Sequence, residues 1–277
     1  MKTNTIFKSE EGKQKVLAYY DQILSYFPLK QRYVQTSFGK TFVLEAGDPQ
    51  NEALLLFHGS CSNSAAWLGD MPALAARFHV FAVDLLGEAG HSDENRFDLT
   101  TDAYALWIKE LLDALSLQKA AIMGNSLGGW MALKFTAAYP FCVSRLVLLA
   151  AAGLAPIRAA FISQANQSRQ DGSINKLNGD VLGSELPEEV RTFINLILEN
   201  FIPITDGLPV LTDEQLRSLN MPVMFIAGEN DLIVDAAQSA QRLTALVPQS
   251  QIHMIKNGGH LVMNVLETVM PFLMKEE

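Results

Sequence analysis

Cysteine is scarce: Cys61 and Cys142 are the only two in 277 residues, and they form no CxxC pair. Two cysteines cannot build a disulfide framework, which predicts a reducing, cytoplasmic compartment. Positive charge is also short, with 21 lysines and arginines against 30 aspartates and glutamates and a net charge of −9 with histidines neutral. No basic cluster could neutralise a run of phosphates, so the sequence predicts no nucleic-acid partner. The same acidity weighs against anionic membrane surfaces. The longest apolar run, Leu146 to Ile157, falls short of the roughly 20 residues that span a bilayer, and no membrane partner is expected. Met1 to Gln14 is polar and carries Lys2, Lys8 and Lys13, so no secretory signal is read there. The absence of repeats excludes a solenoid.

What is present is core-forming residues, 49% of the chain, enough for a large core without covalent staples. Short apolar runs bounded by Gly, Pro, Asp or Asn recur at Ala53–Phe57, His79–Val83, Lys119–Met123, Arg145–Ala150, Pro222–Ala227 and Gln251–Ile255. Such runs suit strands buried on both faces. Between them Ser64–Phe78, Asp102–Leu115, Leu127–Tyr139 and Ala236–Leu246 show helical spacing; Tyr104, Leu106, Ile108, Leu111, Leu112 and Leu115 form one broad stripe. Strand–helix alternation predicts an α/β fold with a mostly parallel sheet flanked by helices. Ahead of it, Tyr33–Ser37 and Thr41–Glu45 flank Phe38-Gly39-Lys40 as an antiparallel hairpin.

Two segments depart from this rhythm. Lys13–Phe27 predicts an extra N-terminal helix, with Val16, Tyr20, Ile23, Leu24 and Phe27 on one side to pack against the sheet's edge. Ala152–Asn220 contains no strand pattern; it holds the polar cluster Gln170–Asp180 and a helix Pro187–Asn200. A long insertion between core strands predicts a lid over a ligand crevice. The expected organisation is a core of residues 1–151 and 221–277, with 1–30 as a helical extension and 152–220 as a helical cap.

Chemistry concentrates at Gly124-Asn125-Ser126-Leu127-Gly128-Gly129, between a strand and the helix it opens. A turn that tight places the serine in strained dihedrals, and only glycines two residues away leave room. A phosphate-binding loop has the same setting, but no lysine stands near this glycine run. Serine needs a base. His79 and His253 fall within strands, His58 ends one and His91 lies in the loop Gly87–Ser92, whereas His260 follows the last strand on the edge that carries Ser126. The base needs an orienting carboxylate. Asp231 follows the strand Pro222–Ala227; Glu229 is too close to the strand end, and Asp235 is placed to cap the next helix. Ser126, Asp231 and His260 are therefore the candidate catalytic residues. The backbone N–H groups of Ser60 and Leu127 are the candidate oxyanion donors. Cys61 has no dedicated base and is read as a pocket-lining residue.

These pieces, in this order, resemble the α/β-hydrolase superfamily from about Tyr33 onward: His58-Gly59, Trp67, Asp84-Leu85-Leu86-Gly87 with Ser92, the Ser126 elbow, Arg145–Leu149, Gly228 with Asp231, and Gly259-His260. The resemblance implies an α/β-hydrolase fold with an eight-stranded sheet, one strand antiparallel, and a cap after strand six. It is strongest toward small bacterial carboxylesterases and implies cleavage of small-molecule esters through an acyl-enzyme. Carbon–carbon bond hydrolysis, acyl transfer or perhydrolysis would use the same triad, and a receptor-like member would bind without turnover. The carbon–carbon hydrolases tend to carry Gly-Pro-Gly where Cys61-Ser62-Asn63 stands here. Two departures are visible: Gly87–Ser92 has one residue more than the family's Gly-x-Gly-x-Ser, and Leu261–Lys275 continues as a final helix. Asp84, Gly87 and Ser92 are read as shaping a loop. Cys61, Trp67, Phe161, Phe193 and Leu261 are the candidate pocket residues, and Trp130 lines the crevice or packs. No metal or cofactor is expected, since His91-Ser92-Asp93-Glu94 lacks a second histidine at ligand spacing.

Overall fold

The computed structural model describes residues 5–170, 186–204 and 207–275. Among these, eight strands form one sheet: β1 (Lys30–Thr36), β2 (Gly39–Ala46), β3 (Ala53–Phe57), β4 (His79–Val83), β5 (Ala120–Asn125), β6 (Val143–Leu149), β7 (Val223–Gly228) and β8 (Gln251–Ile255). Their order is β1-β2-β4-β3-β5-β6-β7-β8, and only β2 runs against the rest. Every residue of β3, β6 and β7 is buried, which is why these strands read as continuous rather than alternating apolar runs. The parallel strands all end at one edge of the sheet. The loops that follow β3, β4, β5, β7 and β8 therefore meet there.

The α-helices among the described residues are α1 (Glu10–Ser25), α2 (Met71–Ala75), α3 (Ala103–Ala114), α4 (Leu127–Ala138), α5 (Ala159–Gln170), α6 (Glu188–Asn200), α7 (Asp213–Arg217), α8 (Ala236–Leu246) and α9 (Leu266–Leu273). None is long and apolar enough to cross a membrane. The expected helix Ser64–Phe78 is instead a 3₁₀ turn, Ser64–Trp67, followed by the short α2. Pro72 accounts for the break: it has no N–H to bond back into the preceding turn and is tolerated only at the start of a helix. On α3, Leu106 is exposed because it lies about 200° round the helix from Tyr104. Trp107 is buried in its place and donates from Nε1 to Thr41 Oγ1 at 2.9 Å. The final helix starts only at Leu266, since Asn264 adopts φ 57° and cannot lie in a helix.

The N-terminal helix starts at Glu10, earlier than its apolar stripe suggests, because the Ser9 side chain accepts the Gly12 N–H at 3.0 Å. It packs on α6 and on the loops at the carboxyl ends of β3 and β4 rather than on the sheet's edge. Phe193 of α6 stacks on Tyr19 at 5.3 Å and on Tyr20 at 6.1 Å. The Lys8 N–H donates to the Asn200 carbonyl and the Ile202 N–H to the Ile6 carbonyl, both at 2.8 Å. α6 and the residues just after it are thus pinned to α1 and to the strand-like stretch before it. The polar cluster from Gln170 lies outside the described residues beyond its first member.

A buried carboxylate anchors this corner. Asp84 accepts the Tyr20 O–H at 3.1 Å and the Ser64 N–H at 2.8 Å on Oδ1, and the His91 N–H at 2.7 Å on Oδ2. Asp84→Ala orphans all three donors, and urea unfolding is expected to show a loss of about 3 kcal/mol or more; a loss below 1 kcal/mol would contradict this role. Beside the start of β4, burial opposes ionisation of Glu45, but hydrogen bonds from His79, Arg32 and Lys30 outweigh it and hold its carboxyl at about 2, below its ordinary 4.5. A depressed carboxyl adds stability above its unfolded value and loses it as pH falls. Stability is therefore expected to decline between pH 4.5 and 2, and Glu45→Gln should flatten that part of the curve in a pH series of thermal melts.

Candidate active site

Ser126 sits between the last residue of β5 and the first of α4 at φ 50°, ψ −110°. A non-glycine residue reaches such angles only where its surroundings over-determine them. Here the Ser126 N–H donates to the Leu149 carbonyl at 2.9 Å, and its own carbonyl accepts the Trp130 N–H at 3.0 Å. Room for the turn comes from two glycines. A Cβ on Gly124 would lie 2.5 Å from the Gly128 carbonyl oxygen, and one on Gly128 would lie 2.4 Å from the Phe57 carbonyl oxygen.

The structure brings His260 and Asp231 to this serine. His260 Nε2 lies 2.9 Å from Ser126 Oγ, and His260 Nδ1 lies 2.8 Å from Asp231 Oδ2. A carboxylate only accepts, so Nδ1 carries the proton and Nε2 is left to accept the serine O–H. Asp231 is 1% exposed, and its Oδ1 takes the N–H groups of Ile233 at 2.8 Å and Val234 at 3.0 Å. Three hydrogen bonds thus hold the carboxylate in place. Arg158 donates from Nε to the Asp231 carbonyl at 2.9 Å, tying the acid's loop to the segment after β6. Glu229 is exposed, and Asp235 caps α8 by accepting the Gln238 N–H at 3.0 Å.

Gly59 brings the loop after β3 against the elbow: a Cβ there would lie 3.5 Å from Ser126 Cβ. The Ser60 N–H has no hydrogen-bond partner among the described residues, and Leu127 stands at the N-terminus of α4, where N–H groups are unpaired. The neighbouring Cys61 N–H donates to Glu88 Oε2 at 2.7 Å. Burial, and then the nearby Glu88 charge, pushes the Cys61 thiol up to about 12.

Three of the remaining four histidines are engaged elsewhere, and the fourth, His253, is exposed on β8. His58 is buried and its tautomer is forced: Nδ1 donates to the Gly59 carbonyl at 2.8 Å, and Nε2 accepts the Leu85 N–H at 3.0 Å. Burial lowers its pKa, so it stays a neutral strut between two loops. His79 bonds Glu45, and His91 bonds Asp21 at 2.7 Å. Among the pocket candidates, Trp67 is 4% exposed, Phe161 and Leu261 are half-buried, and Phe193 faces α1. Trp130 is fully buried and donates to the Pro209 carbonyl at 2.9 Å, a packing role. Sequence reasoning missed Arg158 and Glu88. The extra residue between Gly87 and Ser92 was the signal for the second.

Comparison with known proteins places the chain among similar sequences and structures. A family model described as the alpha/beta hydrolase family matches residues 54–267. Carboxylesterase YbfK of Bacillus subtilis is 29% identical, over 92% of this chain and 90% of its own length. The uncharacterized carboxylesterase nap of the same organism is 30% identical, over 88% and 85%. In structure, the naproxen esterase (carboxylesterase NP) of Bacillus subtilis superposes with a TM-score of 0.84 at 27% identity, over 96% of this chain and 99% of that one.

The raised Cys61 thiol makes a checkable statement. Iodoacetamide at pH 8 should leave Cys61 unmodified in the native protein and alkylate it after denaturation, read by peptide mass; alkylation of the native protein would refute the assignment.

Proposed function

The chain belongs to the alpha/beta hydrolase family, and we propose that within it the chain hydrolyses carboxylic esters of small-molecule substrates through an acyl-enzyme on Ser126. The observation that carries this reading is the continuous chain of hydrogen bonds from Ser126 Oγ through His260 to Asp231. The carboxylesterase relatives support the ester as substrate.

In this mechanism His260 Nε2 takes the Ser126 proton as Oγ attacks the ester carbonyl. Asp231, held by two amides, keeps the imidazole in the reactive tautomer and stabilises the imidazolium. The Ser60 and Leu127 amides receive the tetrahedral oxyanion, each worth on the order of 3 kcal/mol in the transition state. His260 then protonates the leaving alcohol, and water repeats the cycle on the acyl-enzyme. Of the described residues, 152–170, 186–204 and 207–220 act as a cap over this crevice, with 5–151 and 221–275 as the core. Phe161 and Leu261 line the substrate side, beside Trp67 and Cys61; Phe193 fastens the cap to α1.

Turnover of p-nitrophenyl esters tests the reading. Ser126→Ala should lower kcat by about 10⁴-fold or more with the thermal midpoint retained. Asp231→Asn presents the wrong hydrogen-bonding partner to Nδ1 and should also cost about 10⁴-fold. Glu229→Gln, at an exposed position, should stay within about threefold of the parent. Turnover surviving in Ser126→Ala, or a larger loss in Glu229→Gln than in Asp231→Asn, would refute the assignment.

A further inference from the structure

The loop that carries the Ser60 amide is held from one side by the loop after β4. His58 Nε2 accepts the Leu85 N–H, Asn63 Nδ2 donates to the Ala89 carbonyl at 2.8 Å, and the Ser64 N–H reaches Asp84. Between these struts stands a contact of another kind. Glu88 is fully buried, its Oε2 takes the Cys61 N–H, and its Oε1 has no partner among the described residues. Cys61 itself is bent to φ 56°, a conformation that a non-glycine residue holds only under constraint.

We propose that Glu88 is a positioning residue for ester turnover: by engaging the Cys61 amide it sets the bend after Ser60 and leaves the Ser60 N–H alone to face the oxyanion. This rests on the reading of Ser126 as the nucleophile and Ser60 as an oxyanion donor.

Three observations support it. First, the structure pairs the Cys61 N–H with Glu88 and leaves the adjacent Ser60 N–H without a partner among the described residues. Second, a buried carboxylate with one orphan oxygen is a poor packing element; an apolar side chain of equal size would fill the site at lower desolvation cost. Third, none of the other struts bonds Cys61 itself, so Glu88 is the contact made directly at the bend. Burial pushes the Glu88 carboxyl up to about 7, against the opposing pull of Arg96 and the Cys61 amide. Both of its forms retain an oxygen that accepts an N–H, and so does glutamine.

The test compares Glu88→Gln, which keeps the acceptor, with Glu88→Met, which keeps the bulk and removes it. With p-nitrophenyl esters, Glu88→Met should lower kcat by about 10²-fold with KM within about threefold, while Glu88→Gln keeps kcat within about threefold. A packing role predicts the reverse, with methionine tolerated. Equal kcat in Glu88→Met and the parent, or equal losses in both variants, would overturn the proposal. Ser126→Ala is run alongside: turnover unaffected by that change would instead overturn the functional reading. Amide hydrogen exchange needs no turnover and keeps the proposal falsifiable even where Glu88→Met does not fold. The Cys61 amide should be protected in the parent and in Glu88→Gln; exchange as fast as an exposed amide in the parent would overturn the proposal.

Discussion

The tight turn between β5 and α4 is the constraint around which the rest of the site is arranged. Holding Ser126 at φ 50°, ψ −110° costs on the order of 1–3 kcal/mol. The turn persists because its backbone groups bond to β6 and the first turn of α4, and because glycines let β3 and α4 close on it. Strain here has a geometric return: the hydroxyl projects from the carboxyl edge of the sheet instead of lying along a strand or a helix face. Parallel strands then deliver the other groups to the same edge, since each of their carboxyl-end loops must begin there.

Around that fixed point the site is built by pairing loops rather than by any one element. Asp231 is oriented by amides two and three residues further along its own loop, and Arg158 attaches that loop to the segment after β6. The loops after β3 and β4 are laced by His58, Asn63, Glu88 and Asp84, with Tyr20 of α1 joining from outside. Polar groups that leave water must find partners, so this lacing is also what makes the loops rigid. It gives α1 a part in the architecture of the crevice, through Tyr19 and Tyr20 against Phe193 and through Asp84.

The order and type of the core elements were legible in the sequence because buried parallel strands leave continuous apolar runs with sharp boundaries. The residues at the elbow and at the ends of β7 and β8 could be chosen because chain order and strand-end position together admit few alternatives. What periodicity could not show was any feature set by a single residue: Pro72 dividing one expected helix, Asn264 delaying another, Leu106 turned outward on α3. Nor could it show where α1 packs, since an apolar stripe names no partner. Glu88 and Arg158 were invisible for a related reason: their contacts join loops far apart in sequence, and neither belongs to a pattern. The extra residue before Ser92 marked the place without revealing the bond.

The central claim is that Ser126, activated by His260, is the atom that attacks the substrate. Intact-mass analysis after treatment with a fluorophosphonate, followed by peptide mapping, tests it most directly. The account predicts a single adduct, located on the peptide containing Ser126, that forms in step with loss of ester turnover. An adduct on Cys61 or on another serine, or complete turnover with no adduct at Ser126, would contradict it.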